Sequence, residues 1–152
     1  MPEPGDRAPD FSLPSTEGEL RLSDRLQHGR VLLAFYFEDA TPTCSTEIEA
    51  LKDAHETLRE LGANVIAVSA DSLDSHRAFA ERLGGLPFAL ASDPDLTVAS
   101  AYDVVAEDDR RRSRRALFVI EQDGAVSYAA PHFSPNNLSQ LAGAFRALGL
   151  EL

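Results

Sequence analysis

Val31-Leu32-Leu33-Ala34-Phe35-Tyr36-Phe37 is an unbroken apolar run. A strand with one wet face alternates polar and apolar side chains, so a run without alternation reads as a strand covered on both faces. Such a strand lies in mid-sheet, and the chain around it has to supply a layer on each side. Pro42 suits the first turn of a helix, and Ile48, Leu51, His55, Leu58 and Leu61 then recur every three or four residues until Gly62. A second buried strand follows over 64–69. A helix over 72–83 carries Leu73, His76, Phe79, Ala80 and Leu83 on one face and stops at Gly84-Gly85.

The remaining segments complete the layout. Phe11-Ser12-Leu13 and Leu20-Arg21-Leu22, on either side of Ser15-Thr16-Glu17-Gly18, read as a small N-terminal β-hairpin, after which Ser23-Asp24 opens a short helical turn. A short strand over 88–91 and a short helix over 95–102 come next. Segments 116–121 and 125–128 flank Gln122-Asp123-Gly124, a hairpin signal because Asp-Gly accommodates positive φ. An amphipathic helix over 138–148 follows Ser134-Pro135. Strand-helix alternation followed by a hairpin and a helix predicts an α/β fold: a mixed central sheet flanked by helices, with residues 1–152 as one domain.

Cys44 is the only cysteine, and it stands in Thr41-Pro42-Thr43-Cys44-Ser45-Thr46-Glu47, directly beyond the buried strand. A free cysteine is commonly a small buried hydrophobe, but these neighbours are too polar for a packing position. The first turn of a helix presents unpaired N–H groups and a partial positive charge, both of which favour a thiolate. An unperturbed thiol of pKa about 8.5 is only about 3% ionised at pH 7, and lowering its pKa to about 6 raises that fraction roughly thirtyfold. Nucleophilicity falls with pKa and takes back roughly tenfold. A fast reaction therefore also needs donors that are in place before it begins.

The seven residues around Cys44 resemble the active-site loop of the peroxiredoxins, thiol peroxidases of the thioredoxin fold. Gly5-Asp6-Arg7-Ala8-Pro9-Asp10-Phe11-Ser12-Leu13 is similar to that family's opening segment, and Val68-Ser69-Ala70-Asp71-Ser72 followed by His76 is similar to its second strand and helix. Leu90-Ala91-Ser92-Asp93-Pro94 and Arg115-Ala116-Leu117-Phe118-Val119-Ile120 continue the resemblance in order. The short chain is similar to the bacterioferritin comigratory protein-like, one-cysteine bacterial branch. The resemblance implies a thioredoxin-like, peroxiredoxin-type fold and reduction of hydrogen peroxide and organic hydroperoxides through a Cys44 sulfenic acid.

It also implies site residues. Arg115 would sit beside the thiolate, where a permanently charged fork stabilises the sulfur and binds a peroxide oxygen. Thr41 offers a hydroxyl to the same site, although taken alone it is equally a helix-entry cap. Pro42 opens the helix. Glu47, one turn beyond Cys44, projects from the same helical face and would orient Arg115, or else simply complements the helix dipole. The family's proline seven residues before the cysteine is replaced by Phe37, which keeps apolar cover but not the fixed φ.

No resolving cysteine is present, the position five after Cys44 being Glu49, so an external thiol has to reduce the oxidised chain: thioredoxin, a glutaredoxin-like protein or a low-molecular-weight thiol. The family's members imply a monomer or a homodimer packed through loops near the active site. Two other readings stand beside this one, a slow thioredoxin-fold redox sensor that forms mixed disulfides with a partner, and a binding module with an inert thiol.

Charge narrows the alternatives. A net charge of -11 argues against nucleic acid, which needs a clustered positive surface. Arg110, Arg111, Arg112 and Arg114 follow Glu107-Asp108-Asp109 and read as a solvated loop of offset charges. No apolar stretch reaches membrane-spanning length, and Glu3 and Asp6 stand where a signal peptide would be basic. A lone cysteine gives no intramolecular disulfide, which makes a reducing, cytoplasmic setting the expectation. His55 lies roughly 16 Å along the helix from Cys44, and no histidine has metal-ligand spacing with it, so neither a cofactor nor a metal is expected. His132 could approach only through tertiary folding.

Overall fold

The computed structural model describes residues 2–39, 41–130 and 138–149. Its strands are β1 (Ser12–Ser15), β2 (Gly18–Arg21), β3 (Arg30–Phe35), β4 (Ala63–Ser69), β5 (Ala89–Ser92), β6 (Ala116–Ile120) and β7 (Val126–Ala130). The helices are α1 (Leu22–Leu26), α2 (Pro42–Glu60), α3 (Leu73–Arg82), α4 (Thr97–Ala101) and α5 (Leu138–Ala147). Among the described residues the strands form one sheet in the order β2-β1-β5-β4-β3-β6-β7. β3 pairs in parallel with β4 and antiparallel with β6, so the sheet is mixed as expected.

The double burial predicted for β3 is what the structure shows. Successive side chains point to opposite faces. Val31, Leu33 and Phe35 enter one core with Leu22 and Leu26 of α1, Val98 and Ala99 of α4, and Tyr102. Leu32, Ala34 and Tyr36 enter the other with Ile48, Leu51 and Leu58 of α2, Phe79 of α3, and Ala144 and Leu148 near the C-terminus. None of these six β3-region side chains is exposed to solvent. Cys44 also belongs to the second core, so its polar neighbours do not, as was expected of them, keep it from a packed position: the helix start turns the sulfur inward.

Two local differences from the sequence reading concern the site. The strand ends at Phe35 rather than Phe37. Tyr36 still donates its N–H to the Val68 carbonyl at 3.0 Å, but its own carbonyl accepts the Ser113 hydroxyl at 2.7 Å. A side chain thus takes over from the ladder, and the chain turns away from the sheet with Phe37 on the loop. The expected hairpin forms through residues 121–125 with Gly124 at φ +89°, a conformation glycine adopts without steric cost. Ser134, Pro135 and His132 lie outside the described residues.

No helix among the described residues is long and apolar enough to cross a membrane. Ile48, wholly buried one turn beyond Cys44, ties the start of α2 to the sheet. Ile48→Ala is expected to cost about 2 to 5 kcal/mol through lost transfer energy and the cavity left behind. A lower urea midpoint at unchanged slope is the expected result, and an unchanged midpoint would show that this contact does not anchor the helix.

Candidate active site

The sheet register brings the site together. Phe35, the last residue of β3, lies opposite Ala116, the first of β6. The residue before β6 therefore stands at the sheet end where the chain leaves β3 for α2, and that residue is Arg115. Its Nη1 lies 3.8 Å from the Cys44 sulfur, within reach of a hydrogen bond to sulfur, although the two residues are far apart in the chain. Cys44 is the third residue of α2 and is fully buried.

Thr41 is the N-cap of that helix. Its hydroxyl oxygen accepts the Cys44 N–H at 3.3 Å, and its hydroxyl proton is directed to the Glu38 carbonyl, also at 3.3 Å. The Thr41 hydroxyl thus makes the capping contact, and its single donor is directed within the loop. Pro42 occupies the first turn, where its missing N–H leaves no helical bond unmade.

Glu47 is brought to the same place but without the contact expected of it. It is 1% exposed, and neither carboxyl oxygen has a hydrogen-bond partner. The hydrogen bond that would orient Arg115 is not made. Burial first, and then the adjacent Cys44 sulfur, push the Glu47 carboxyl well above the usual carboxylate range, against the opposing pull of Arg115. Glu49 faces outward, exposed.

Beside the Cys44–Arg115 pair is a cavity of about 350 Å³ lined by Phe37, Ala106, Asp108, Arg114 and Arg115. Phe37 thus shares the wall of this cavity with Arg115, while Cys44 itself is buried behind it. A cleft of about 490 Å³ lined by Phe11, Leu13, Pro94, Val98 and Tyr102 lies against the opposite core and contains none of these groups. Among the described residues no cluster of potential metal ligands is present.

A polar network that the sequence reading missed holds the loop from Tyr36 to Thr41. Asp39, nearly buried, accepts the Tyr36 phenol at 2.5 Å on one oxygen and the Ser75 hydroxyl at 2.7 Å on the other. His76, read from its spacing as an ordinary amphipathic position, is fully buried, with Nδ1 2.8 Å from Asp39 and Nε2 2.9 Å from the Ala91 carbonyl. A backbone carbonyl only accepts, so Nε2 is the donor in the contact with Ala91. Burial and then Asp39 push the Tyr36 phenol well above its usual value, so it remains a donor. The available signal was the cluster of Ser69, Asp71, Ser72, Ser75 and His76 at a strand end, too polar for a segment with buried positions.

Arg112 corrects the sequence reading directly. It was grouped with a solvated arginine loop, and Arg111 fits that description, being exposed and paired only with neighbouring Asp109. Arg112 instead donates to Asp71 at 2.7 Å and lies 3.7 Å from Glu38. Asp71 in turn accepts the Asp39 N–H at 2.9 Å and the Ser69 hydroxyl at 2.7 Å. The segment that leads into β6 and brings Arg115 to the sheet end, paired back on itself at Val105 and Ser113, also brings Arg112 over the loop, a tertiary effect that charge patterning cannot reveal.

Comparison with known proteins agrees with this geometry. Residues 4–129 match the model of the AhpC/TSA family. The chain belongs to the AhpC/TSA family. It is 36% identical to the putative peroxiredoxin bcp of Coxiella burnetii over 134 residues, 85% of this chain and 88% of that protein. Peroxiredoxin Bcp of Bacillus subtilis is 42% identical over 130 residues, 82% of each chain. The crystal structure of peroxidoxin BcpB from Mycobacterium tuberculosis superposes with a TM-score of 0.87 at 30% identity, covering 97% of both chains. The expected thioredoxin-like, peroxiredoxin-type fold is therefore the fold of this AhpC/TSA member.

The Arg112–Asp71 pair yields a pH-dependent prediction. Burial raises the Asp71 carboxyl, but the hydrogen bonds from Ser69, Arg112 and the Asp39 amide outweigh it and hold the group below its ordinary value. A carboxyl depressed on folding adds stability above its unfolded pKa and loses it as pH falls through the folded value. Arg112→Ala is expected to lower unfolding stability by about 2 kcal/mol at neutral pH, with the deficit shrinking as Asp71 becomes protonated in acid. Urea denaturation of both proteins at neutral and acidic pH tests this; a deficit independent of pH would assign the loss to packing alone.

Proposed function

We propose that this chain is a one-cysteine thiol peroxidase that reduces hydrogen peroxide and organic hydroperoxides at Cys44 and is returned to the reduced state by an external thiol. The observation that carries the reading is the 3.8 Å contact of Arg115 with the sulfur of the only cysteine, itself in the first turn of a capped helix. In the reaction the Cys44 thiolate attacks one peroxide oxygen as the O–O bond breaks. Sulfur becomes a sulfenic acid and the other oxygen leaves as an alkoxide or hydroxide that takes up a proton. Arg115 faces the developing negative charge, and its guanidinium stays charged throughout.

Because Cys44 has no second cysteine within the chain, the sulfenic acid cannot close an intramolecular disulfide. A thiol from outside attacks its sulfur, releases water and leaves a mixed disulfide, and a second thiol frees Cys44. Thioredoxin, a glutaredoxin-like protein and a low-molecular-weight thiol all have the chemistry required.

Cys44→Ser is expected to abolish peroxide reduction while preserving the fold, since the exchange is nearly isosteric and the hydroxyl is a poor nucleophile. Peroxide consumption by both proteins, together with intact mass after one equivalent of peroxide, is the decisive experiment. The unaltered chain should gain one oxygen that a sulfenate reagent traps, and turnover persisting in the serine variant would place the chemistry elsewhere. Arg115→Ala should cost about 2 to 4 kcal/mol of transition-state stabilisation, the scale of removing one preorganised donor. A near-normal second-order rate with peroxide would remove Arg115 from the reaction.

A further inference from the structure

Glu47 is the group that the reaction above leaves unused. It is a buried carboxyl with no hydrogen bond to either oxygen, one helical turn from the reacting sulfur and on the same face of α2. An isolated carboxylate in such a place loses its hydration and receives nothing in exchange, whereas a protonated carboxyl avoids most of that cost. Its two ionisable neighbours are Cys44 and Arg115. One guanidinium, at the edge of the cavity, therefore faces two acids that are both buried from solvent. It balances one negative charge and not two.

We propose that Glu47 is the catalytic acid of peroxide reduction, holding in the reduced protein the proton that the leaving oxygen takes up. This rests on the thiol peroxidase reading. The starting arrangement is a Cys44 thiolate, a neutral Glu47 and a positive Arg115. As the sulfur attacks, the S–O bond forms, the O–O bond breaks, and the departing alkoxide receives the Glu47 proton. Sulfur is oxidised by two electrons and the peroxide is reduced by two. The products are the sulfenic acid, an alcohol or water, and a Glu47 carboxylate. The negative charge has moved from Cys44 to Glu47, both beside Arg115, so the site remains neutral from beginning to end.

The return half follows the same balance. The first external thiol displaces the sulfenic hydroxyl as water, its own proton completing that water. The second thiol releases the Cys44 thiolate, and its proton restores Glu47. Thr41 is the obvious rival donor, but its hydroxyl proton is directed to the Glu38 carbonyl. Glu47 has no such engagement.

The test uses leaving groups of different basicity. tert-Butyl hydroperoxide expels a strongly basic alkoxide that needs a proton, whereas peracetic acid expels acetate, which does not. Glu47→Gln keeps the shape and removes the acid. Its oxidation by tert-butyl hydroperoxide is expected to slow about 100-fold, the scale of general acid catalysis, while oxidation by peracetic acid stays within about threefold. Equal losses with the two oxidants would make Glu47 merely structural, and no loss with either would overturn the proposal as well.

A measurement on the unaltered protein decides the matter even if the variant fails to fold. Infrared difference spectra should show a protonated carboxyl stretch, shifted in heavy water, that is present when Cys44 is reduced and lost when peroxide is added. Absence of that loss would overturn the proposal. A chain that consumes neither oxidant would instead overturn the thiol peroxidase reading on which it rests.

Discussion

Enclosing β3 between two cores leaves the chain only one way out, over the end of the sheet, and the geometry of the site follows from that exit. A strand whose side chains from Val31 to Phe35 are all withdrawn from water cannot display a reactive group along that length. The group has to be presented where the strand stops. There the backbone turns into α2, whose first N–H groups lack helical partners, and the Thr41 hydroxyl satisfies the one belonging to Cys44. The antiparallel partner β6 begins at the same level, which is why a cation at its start meets a thiol at the start of α2. Sheet pairing, helix capping and the sulfur–guanidinium contact are one arrangement described at three scales.

Holding that exit in place falls to polar groups. Beyond the last ladder bond, at Tyr36, the loop has no strand pairing to fix it, and among the described residues Asp39, Asp71, His76, Tyr36 and Arg112 secure it. Groups withdrawn from water are worth little as net stabilisation when an apolar core could replace them, but removing one partner strands the rest. The network is therefore better understood as choosing one loop conformation than as adding stability.

The fold was legible in the sequence because burial on two faces leaves a direct imprint: the unbroken run before Phe37, the spacing from Ile48 to Leu58, and the Asp123-Gly124 turn each report a local physical requirement. The position of Cys44 at a helix start was legible for the same reason. Arg115 came from resemblance, since its approach to Cys44 depends on strand register. Arg112 was misjudged, and the partners of His76 went unseen although its buried helical face was read correctly, because side-chain pairing across separate elements has no periodic signature; a charged run looks the same whether solvent or Asp71 receives it. Glu47 was placed correctly on its helical face, but its lack of a partner is a fact of tertiary packing.

The composition of the loop network bears on how this chain can change over time. Asp39 and Asp71 each bind several partners drawn from different segments, so a substitution at either one exposes its partners' unmet polarity at once. Single replacements within the set pass through poorly tolerated intermediates, and accepted variants should differ at several of these positions together. The strand interiors, where Val, Leu and Ile can exchange at modest cost, are free to drift one residue at a time. Tolerance to single substitutions should therefore differ on the two sides of the end of β3.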